Sequence, residues 1–211
     1  MALTIRMRPA ESGDLEAMID VFNDAYSDGK WHNRCFPASD PATAPGNAMY
    51  IGSGLTDPES QVVLAEDTSS GAPVLVGWAR WIRRPQAQPT PVPVLKEDMF
   101  PQTGDPELAV RFITTTADAT NRHTAGRPFW GLNTIVVRKG HQRKGIGASL
   151  MRFGLDKADE DGWMAFLNAL PEGEALYKRF GFRTLETIDF GHGITSSPME
   201  REARRRQGTG N

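Results

Sequence analysis

The stretch LNTIVVRKGHQRKGIGASLMRFG, Leu132 to Gly154, decides the fold of this chain. Its first part, Leu132 to Val137, is apolar and rich in β-branched residues, which is the composition of a buried strand. Beyond the basic turn that follows, apolar residues recur at helical spacing: Ile146, Leu150, Phe153 and Ala158. The sequence therefore predicts a strand, a glycine-containing turn and an amphipathic helix that begins at Gly145.

The turn brings Gln142-Arg143-Lys144-Gly145-Ile146-Gly147 to the start of this helix. Unpaired backbone N–H groups and the positive end of the helix dipole favour an anion at a helix N-terminus. Gly145 and Gly147 lack Cβ atoms, so a phosphate can approach the backbone closely, and Arg143 and Lys144 add positive charge. The nucleotide pattern GxxxxGK[ST] is absent, as is GxGxxG with its later acidic residue. The stretch predicts a phosphate cradle of another kind.

The pattern Gln-x-x-Gly-x-Gly after a strand ending at Val137 resembles the acyl-CoA loop of the GNAT acyltransferase superfamily. In that family the loop amides bind the pyrophosphate of CoA. A second hallmark of the family, Leu-Tyr-x-x-x-Gly-Phe, is present downstream from Leu176 to Phe182. Two hallmarks in the family's order identify the chain as similar to GNAT enzymes over nearly its whole length.

The resemblance implies an α/β fold (α+β, a mixed sheet flanked by helices) with a splayed central sheet. The opening is expected between the strand at Leu132–Val137 and a strand at Trp163–Ala169, with pantetheine between them. Acetyl-CoA, or another acyl-CoA, is the implied donor. The residues that the resemblance assigns to its binding are Ile135, Val136, Val137, Gln142, Arg143, Lys144, Gly145, Ile146, Gly147, Ala148, Ser149, Asn168 and Tyr177.

Tyr177 occupies the position of the family's tyrosine acid and is the one predicted catalytic residue. A phenol with an ordinary pKa near 10 is protonated at neutral pH and suits a thiolate leaving group. The alternative interpretation is that Tyr177 only packs near the end of its helix.

No general base is assigned from the sequence. Many relatives place a glutamate on the strand before the loop, whereas this strand has Asn133 and Thr134, which do not act as bases near pH 7. The remaining candidates are His32, His123, His141 and His192, with Asp24 and Asp28. The residues predicted for the substrate pocket are Tyr26, Trp31, His32 and Asn133.

The first part of the chain reads as a strand, a helix, an irregular segment and a hairpin. Thr4–Arg8 is the predicted strand, and the helix has its apolar face at Leu15, Met18, Ile19, Phe22 and Tyr26. The segment 27–60 is rich in glycine, proline and aromatic residues. Its rings either cover the acceptor site or pack the loop on the core. Gln61–Asp67 and Val74–Arg83 are predicted to pair around a Ser-Ser-Gly turn.

Residues 85–128 are predicted to be an insertion in a single GNAT domain that spans residues 1–211. It begins with a proline-rich surface loop and continues with a helix that Asp105 caps and Pro106 opens. Acceptor specificity is its expected use, and a structural cover is the alternative.

The C-terminal part follows with a helix and two strands. Pro171 opens the helix, Phe182–Phe190 is predicted as a strand, and Ile194–Arg201 as a weaker last strand. Residues 201–211 are predicted to form a basic, flexible tail.

Composition narrows the function. The chain has 211 residues, a formal net charge of −2 and one cysteine, Cys35. These values argue against nucleic-acid or membrane partners, and no intrachain disulfide or metal site is predicted. A cytoplasmic monomer or homodimer is expected, and the N-terminal residues lack the apolar core of a signal peptide. The predicted function is transfer of an acetyl (acyl) group from acetyl-CoA to a small amine in a ternary complex. A non-catalytic acyl-CoA-binding module and a protein or peptide N-acetyltransferase are the alternatives.

Overall fold

The computed structural model describes residues 4–85, 89 and 92–204, and one mixed β-sheet lies at its centre. The strands are β1 (Ile5–Pro9), β2 (Ser60–Asp67), β3 (Val74–Arg84), β4 (Phe129–Val137), β5 (Met164–Ala169), β6 (Arg183–Thr184), β7 (Ile188–Asp189) and β8 (Thr195–Arg201). They are ordered β1-β2-β3-β4-β5-β8-β6, and β7 pairs with β8. β4 and β5 are parallel and the other pairs antiparallel. The predicted α/β fold with a mixed sheet is confirmed.

Helices cover both faces of this sheet. In chain order the described α-helices are α1 (Leu15–Tyr26), α2 (Lys30–Cys35), α3 (Thr43–Thr56), α4 (Pro106–Thr124), α5 (Ile146–Asp161) and α6 (Pro171–Arg179). α5 packs on one face, and α1 packs on the other beside α3. α4 lies against β5 and β8.

Two tryptophans of β3 show how the strand alternation builds the two cores. Trp78 faces α1 and donates its indole N–H to Met18 O over 3.0 Å. Trp81 faces α5 and donates to Leu150 O over 3.3 Å. Gly154 makes room for this second ring, because a Cβ there would stand 2.1 Å from it. Trp78 and Trp81 therefore lie on opposite faces of the sheet.

β4 contains a bulge at Asn133. Trp81 of β3 pairs with Leu132, whereas the preceding Arg80 pairs with Thr134, so Asn133 is the extra residue. An extra residue reverses which face the following side chains point to. The bulge therefore switches the face of the sheet to which the β4 side chains after Asn133 point.

The sheet opens immediately after this bulge. β4 pairs with β5 only over Phe129–Leu132 and Met164–Leu167. Beyond Leu132 the two strands continue without pairing to each other. The splay predicted between these strands is present, and it begins where the bulge lies.

The segment 27–60, predicted as irregular, contains the two helices α2 and α3. The buried residues of α3 are small or polar and recur at helical spacing: Thr43, Asn47, Ile51 and Gly54. Because few of them are large and apolar, the usual hydrophobic period is weak and the pattern does not stand out in the sequence. Gly54 brings α3 close to β3, since a Cβ there would lie 2.9 Å from Arg80 Cδ.

The C-terminal strands differ from the prediction. Phe182–Phe190 forms only the two short strands β6 and β7, whereas the predicted weak strand is β8, which pairs with β5, β6 and β7. Arg201 does not begin a flexible tail: it is 5% exposed and forms a two-pronged ion pair with Asp159 at 2.8 Å. Pairing on both edges explains why β8 is buried despite its serines and charges. Residues 205–211 of the predicted tail lie outside the described residues.

The helix of the predicted insertion is observed as proposed. Asp105 caps α4 by accepting the Leu108 N–H over 3.0 Å, and Pro106 is its first residue. Part of the proline-rich loop, residues 86–88, 90 and 91, lies outside the described residues. None of the described helices is both long and apolar enough to cross a membrane.

Candidate active site

The turn after β4 folds into a loop that ends on the first residues of α5. Arg143 and Gly145 take left-handed backbone, with φ of 60° and 87°. Ser149 donates its backbone N–H to Gly145 O over 3.1 Å. The N–H groups of the three residues before Ser149 therefore occupy the first helical turn, where the helix itself offers no acceptor. The loop presents these groups together with the positive end of the α5 dipole.

The space around this loop is open. Gln142 through Gly145 are exposed, and a Cβ at Gly145 would meet no atom within 4 Å. Lys144 Nζ donates to Gly140 O over 2.8 Å, which folds its side chain back onto the turn. Arg143 forms no ion pair with any described residue. The predicted cradle residues are thus brought together, and pyrophosphate binding by them stays a prediction.

The end of β4 offers its backbone to the opening in the sheet. Ile135 and Val137 pack toward α5, and Val136 packs toward α1, so these side chains lie in the two cores. Their unpaired backbone edge faces the gap left by β5. Gln142 Nε2 donates to Val137 O over 3.1 Å and ties the loop to the strand. Any contact of Ile135, Val136 and Val137 with pantetheine is therefore a backbone contact.

The C-terminal end of α1 is fastened to the same turn. Lys139 donates its backbone N–H to Asp24 Oδ2 over 2.8 Å, and its Nζ lies 2.9 Å from Asp28 Oδ2. Both carboxylates were candidates for a base. Their contacts with Lys139 give them a structural role. Asp24 accepts the backbone N–H of the turn, and Asp28 forms an ion pair with the Lys139 ammonium.

Tyr177 lies on α6 with its ring almost fully buried. Gly173, one turn earlier, makes this position possible, since a Cβ there would lie 2.8 Å from Tyr177 Oη. Burial raises the pKa of Tyr177, so the phenol keeps its proton at neutral pH. Its hydroxyl has no hydrogen-bond partner among the described residues.

The three tyrosines of the chain converge near the opening in the sheet. Tyr50 Oη lies 2.7 Å from Thr134 Oγ1 on β4. The pKa of Tyr26 is raised by burial first, and then by the nearby Tyr177, Tyr50 and Glu172. α1, α3 and α6 each contribute one phenol, which sequence spacing does not reveal.

Asn133 stands exposed at the bulge and is held from α3. Its Oδ1 accepts hydrogen bonds from Tyr50 Oη over 2.9 Å and from Thr134 Oγ1 over 3.0 Å. The amide N–H₂ is the polar group left to face a ligand. An amide neither donates nor takes up a proton in catalysis at neutral pH, so β4 supplies no base here.

A cleft of ≈ 480 Å³ opens beside Tyr26. Its walls are the end of α1, α2, the loop before α5, the start of α6 and the β7–β8 turn. The residues lining it are Ala25, Tyr26, Asp28, Gly29, Lys30, Trp31, His32, Gln142, Leu170, Pro171, Glu172, Gly193, Ile194 and Thr195. This volume is within the usual range for a small-molecule site.

His32 is the one histidine that lines this cleft among the described residues. Its ring lies between Tyr26 and Phe36, with both centroid distances 5.5 Å. Burial lowers the pKa of His32 to about 4, so its imidazole is neutral at pH 7. A group with so low a pKa takes up a proton weakly, which makes His32 a wall of the cleft rather than a base.

Three of the four predicted pocket residues line the cleft. Tyr26, Trp31 and His32 line the cleft, whereas Asn133 lies at the bulge and is not among its lining residues. Trp31 also packs on Phe112 of α4, with centroids 4.5 Å apart. The aromatic residues of segment 27–60 therefore both wall the cleft and pack the segment on the core.

The amide of Asn168 contacts the predicted insertion. Its Nδ2 donates to Thr116 O over 3.3 Å and to Thr120 Oγ1 over 3.0 Å, both on α4. Its Oδ1 is buried and has no partner among the described atoms. The side chain points away from the α5 side because Leu167 and Ala169, its neighbours on β5, point there. Cofactor binding by Asn168 stays a prediction.

The other histidines have partners or positions outside the cleft. His123 Nε2 lies 2.8 Å from Glu186 Oε1, and His141 Nε2 lies 3.5 Å from Asp67 Oδ2. His192 takes a left-handed backbone, φ 56°, in the β7–β8 turn. None of the three lines the cleft, so no base is found among them.

Sequence reasoning missed two charged residues of the cleft, Lys30 and Glu172. Glu172 is the second residue of α6. The signal that favours a site was its position directly after β5, since α/β ligands bind at the carboxyl ends of parallel strands.

Comparison with protein families gives one match. Residues 119–203 match the model described as an acetyltransferase (GNAT) domain. A Stachybotrys chartarum protein described as an acetyltransferase is 23% identical over 192 residues, which cover 85% of this chain and 80% of the relative.

Solved structures share the fold over nearly the whole chain. A Corynebacterium glutamicum structure described as histone acetyltransferase HPA2 and related acetyltransferase aligns with a TM-score of 0.63, 20% identity and coverage of 98% and 99% of the two chains. Arabidopsis thaliana NAA60 in complex with a bisubstrate analogue aligns with a TM-score of 0.60 and 15% identity, over 96% of this chain and 100% of that one. The ribosomal-protein-S18-alanine N-acetyltransferase from Escherichia coli aligns with a TM-score of 0.55 and 15% identity, over 99% of this chain and 100% of that one. The predicted fold is confirmed, and the match of residues 119–203 supports the predicted GNAT acetyltransferase activity.

Proposed function

We propose that this chain is a GNAT N-acetyltransferase and that it transfers the acetyl group of acetyl-CoA directly to a small amine. The observation that carries the proposal is the relation of the cleft to the cofactor loop. Gln142 of the loop and Tyr26, beside Tyr177, line the same cleft of ≈ 480 Å³. An acceptor in this cleft would meet a thioester held by the loop.

The chain's residues divide the tasks of this reaction. The α5 loop binds the pyrophosphate, and the free edge of β4 orients the pantetheine by backbone hydrogen bonds. Acetyl-CoA supplies the activated acyl group. Tyr177 Oη donates a hydrogen bond to the departing sulfur. Because its pKa is raised well above that of a thiol, Tyr177 stabilises the thiolate by this bond more readily than by giving up its proton.

Direct transfer is favoured over an acyl-enzyme because the cleft lacks a cysteine. Cys35 packs among Phe100, Leu108 and Phe190, away from the cleft, and burial raises its pKa to about 12. A thiol that holds its proton so firmly is a poor nucleophile. The amine therefore attacks while both substrates are bound.

The size of the cleft supports a small acceptor. The rings of Tyr26, Trp31 and His32 supply an apolar wall, and Lys30 and Glu172 supply one charge of each sign. An acceptor with a short apolar body and an amine matches these surfaces.

A protein or peptide acceptor is the second candidate. It is favoured by the similarity in fold to the ribosomal-protein-S18-alanine N-acetyltransferase from Escherichia coli. A non-catalytic acyl-CoA-binding module is disfavoured by Tyr177, whose hydroxyl has no partner among the described residues.

A thiol-release assay with acetyl-CoA tests the proposal against a panel of amines, amino acids and peptides. Small amines are expected to give the highest kcat/KM. Turnover with peptides alone would favour the second candidate. Binding of acetyl-CoA without thiol release for any acceptor would overturn the proposal in favour of a binding module.

A further inference from the structure

One carboxylate in the cleft has no contact that explains its place. Glu172 lines the cleft, is exposed, and has neither an ion pair nor a hydrogen bond with a described residue. The neighbouring carboxylates are engaged: Asp28 lies 2.9 Å from Lys139 Nζ, and Glu174 lies 2.7 Å from Lys178 Nζ. Glu172 is thus the carboxylate of this cleft that remains available to a ligand.

Glu172 also stands on the helix that carries Tyr177. α6 begins at Pro171, so Glu172 lies in its first turn and Tyr177 in its second. Tyr26 and Glu172 line the same cleft, and Tyr177 is near enough to Tyr26 to contribute to its raised pKa after burial. One short helix therefore carries both a carboxylate that lines the cleft and a buried phenol.

The other groups that face the cleft are less suited to take a proton from an amine. α1, α2 and the residues between them contribute Tyr26, Asp28, Lys30 and His32. The loop contributes the uncharged Gln142, and residues 193–195 contribute no titratable side chain. Lys30 carries a positive charge, and Asp28 is paired with Lys139. Burial lowers the pKa of His32 and raises the pKa of Tyr26, so both side chains are neutral at pH 7 and bind a proton from an amine poorly.

We propose that Glu172 is the general base of acetyl transfer, a role that rests on the proposed function. Its carboxylate takes a proton from the bound ammonium, and the freed nitrogen forms a bond to the thioester carbonyl carbon as the carbon–sulfur bond breaks. The nitrogen loses two protons in all. One passes through Glu172 to solvent, and the other neutralises the thiolate, which the Tyr177 hydroxyl stabilises meanwhile.

The substitution Glu172→Gln tests this role, with Glu107→Gln as a matched control. Glu107 also follows a proline that opens a helix, Pro106 of α4, and it lies outside the cleft. Both substitutions remove a negative charge from a first helical turn and so affect the helix dipole alike. With an acceptor that wild type uses, kcat/KM of Glu172→Gln is expected to fall about 100-fold at pH 7, while that of Glu107→Gln stays within about twofold.

The pH profile separates a base from a merely structural residue. Without the carboxylate, only acceptor molecules already deprotonated in solution react. The ratio of wild-type to Glu172→Gln activity is therefore expected to narrow as the pH rises toward the pKa of the acceptor amine. A ratio that stays constant with pH, or equal activities of the two variants, would overturn the role of Glu172. Absence of turnover in the wild type would instead overturn the proposed function.

Discussion

Gly173 lies under the ring of Tyr177, so that a Cβ at position 173 would stand 2.6 Å from Cε2 and 2.8 Å from Oη. No real Cβ contact is so short, and the ring is almost fully buried. The position of the phenol therefore depends on the absence of a side chain one turn earlier on the same helix.

Gly173→Ala is expected to displace the Tyr177 ring and lower kcat at least tenfold. Alanine raises helix propensity, so the melting temperature is expected to change by only a few degrees. Steady-state thiol release and a thermal scan measure the two effects. Gly46→Ala in α3 is the control, since a Cβ there would meet no atom within 4 Å. Unchanged kcat in Gly173→Ala would show that the exact place of the phenol does not matter.

Tyr177→Phe separates catalysis from packing. The substitution keeps the ring and removes the hydroxyl, so CoA affinity and melting temperature are expected to change little. Turnover is expected to fall about 100-fold if the hydroxyl stabilises the departing sulfur. Calorimetry and thiol release measure binding and turnover. A loss of only a few-fold would assign Tyr177 to packing.

Gly147→Val is expected to abolish binding of CoA. The substitution places a β-branched side chain beside the N–H groups of the α5 loop. In the wild type, CoA at 100 times its dissociation constant should raise the free energy of unfolding by about 2.7 kcal/mol, whereas ATP and NAD should not. Thermal scans with each ligand measure this.

The control for the loop is Gly140→Val, because Gly140 lies in the preceding turn and a Cβ there would also meet open space. A CoA-induced shift in folded Gly147→Val equal to that of the control would contradict the cradle. A Cβ at position 147 would lie 3.4 Å from Leu176 Cδ2 of α6, close to ordinary van der Waals contact, so the variant is expected to fold.

Asp159→Asn tests the buried ion pair that holds the end of β8. Asp159 accepts two bonds from Arg201 at 2.8 Å, and these bonds keep the pKa of its carboxyl below the ordinary value against the opposing effect of burial. Removing the charge is expected to cost about 3 kcal/mol at pH 7. Denaturant unfolding measures the loss.

The pH dependence follows from the direction of this shift. A carboxyl with a lowered pKa in the folded state stabilises the protein fully above its unfolded pKa of about 3.9. That stabilisation is lost as the pH falls through the folded value. The difference in the free energy of unfolding between wild type and Asp159→Asn is therefore expected to be constant from neutral pH to about pH 5. It is expected to become smaller below about pH 4. A difference that does not change in acid would exclude the charge as its cause.

The sequence was sufficient to predict those elements that depend only on interactions between residues near in the chain. The strand–turn–helix from Leu132, the hairpin of β2 and β3, and the Asp105 cap of α4 follow from strong periodicity and from specific turn and cap residues. The cradle is of this kind, because its residues are contiguous and the helix start alone arranges their N–H groups.

Tertiary structure alone decided the rest. β8 appears weak in sequence and is buried because β5, β6 and β7 pair with it, and Arg201 is inside because Asp159 of α5 forms an ion pair with it. The convergence of Tyr26, Tyr50 and Tyr177, and the placement of Glu172 in their neighbourhood, join residues from three helices. The signals of the family resemblance and of the predicted cofactor loop are short contiguous motifs in the sequence. The cleft, in contrast, forms only once distant segments pack together, and no spacing along the chain encodes their distances.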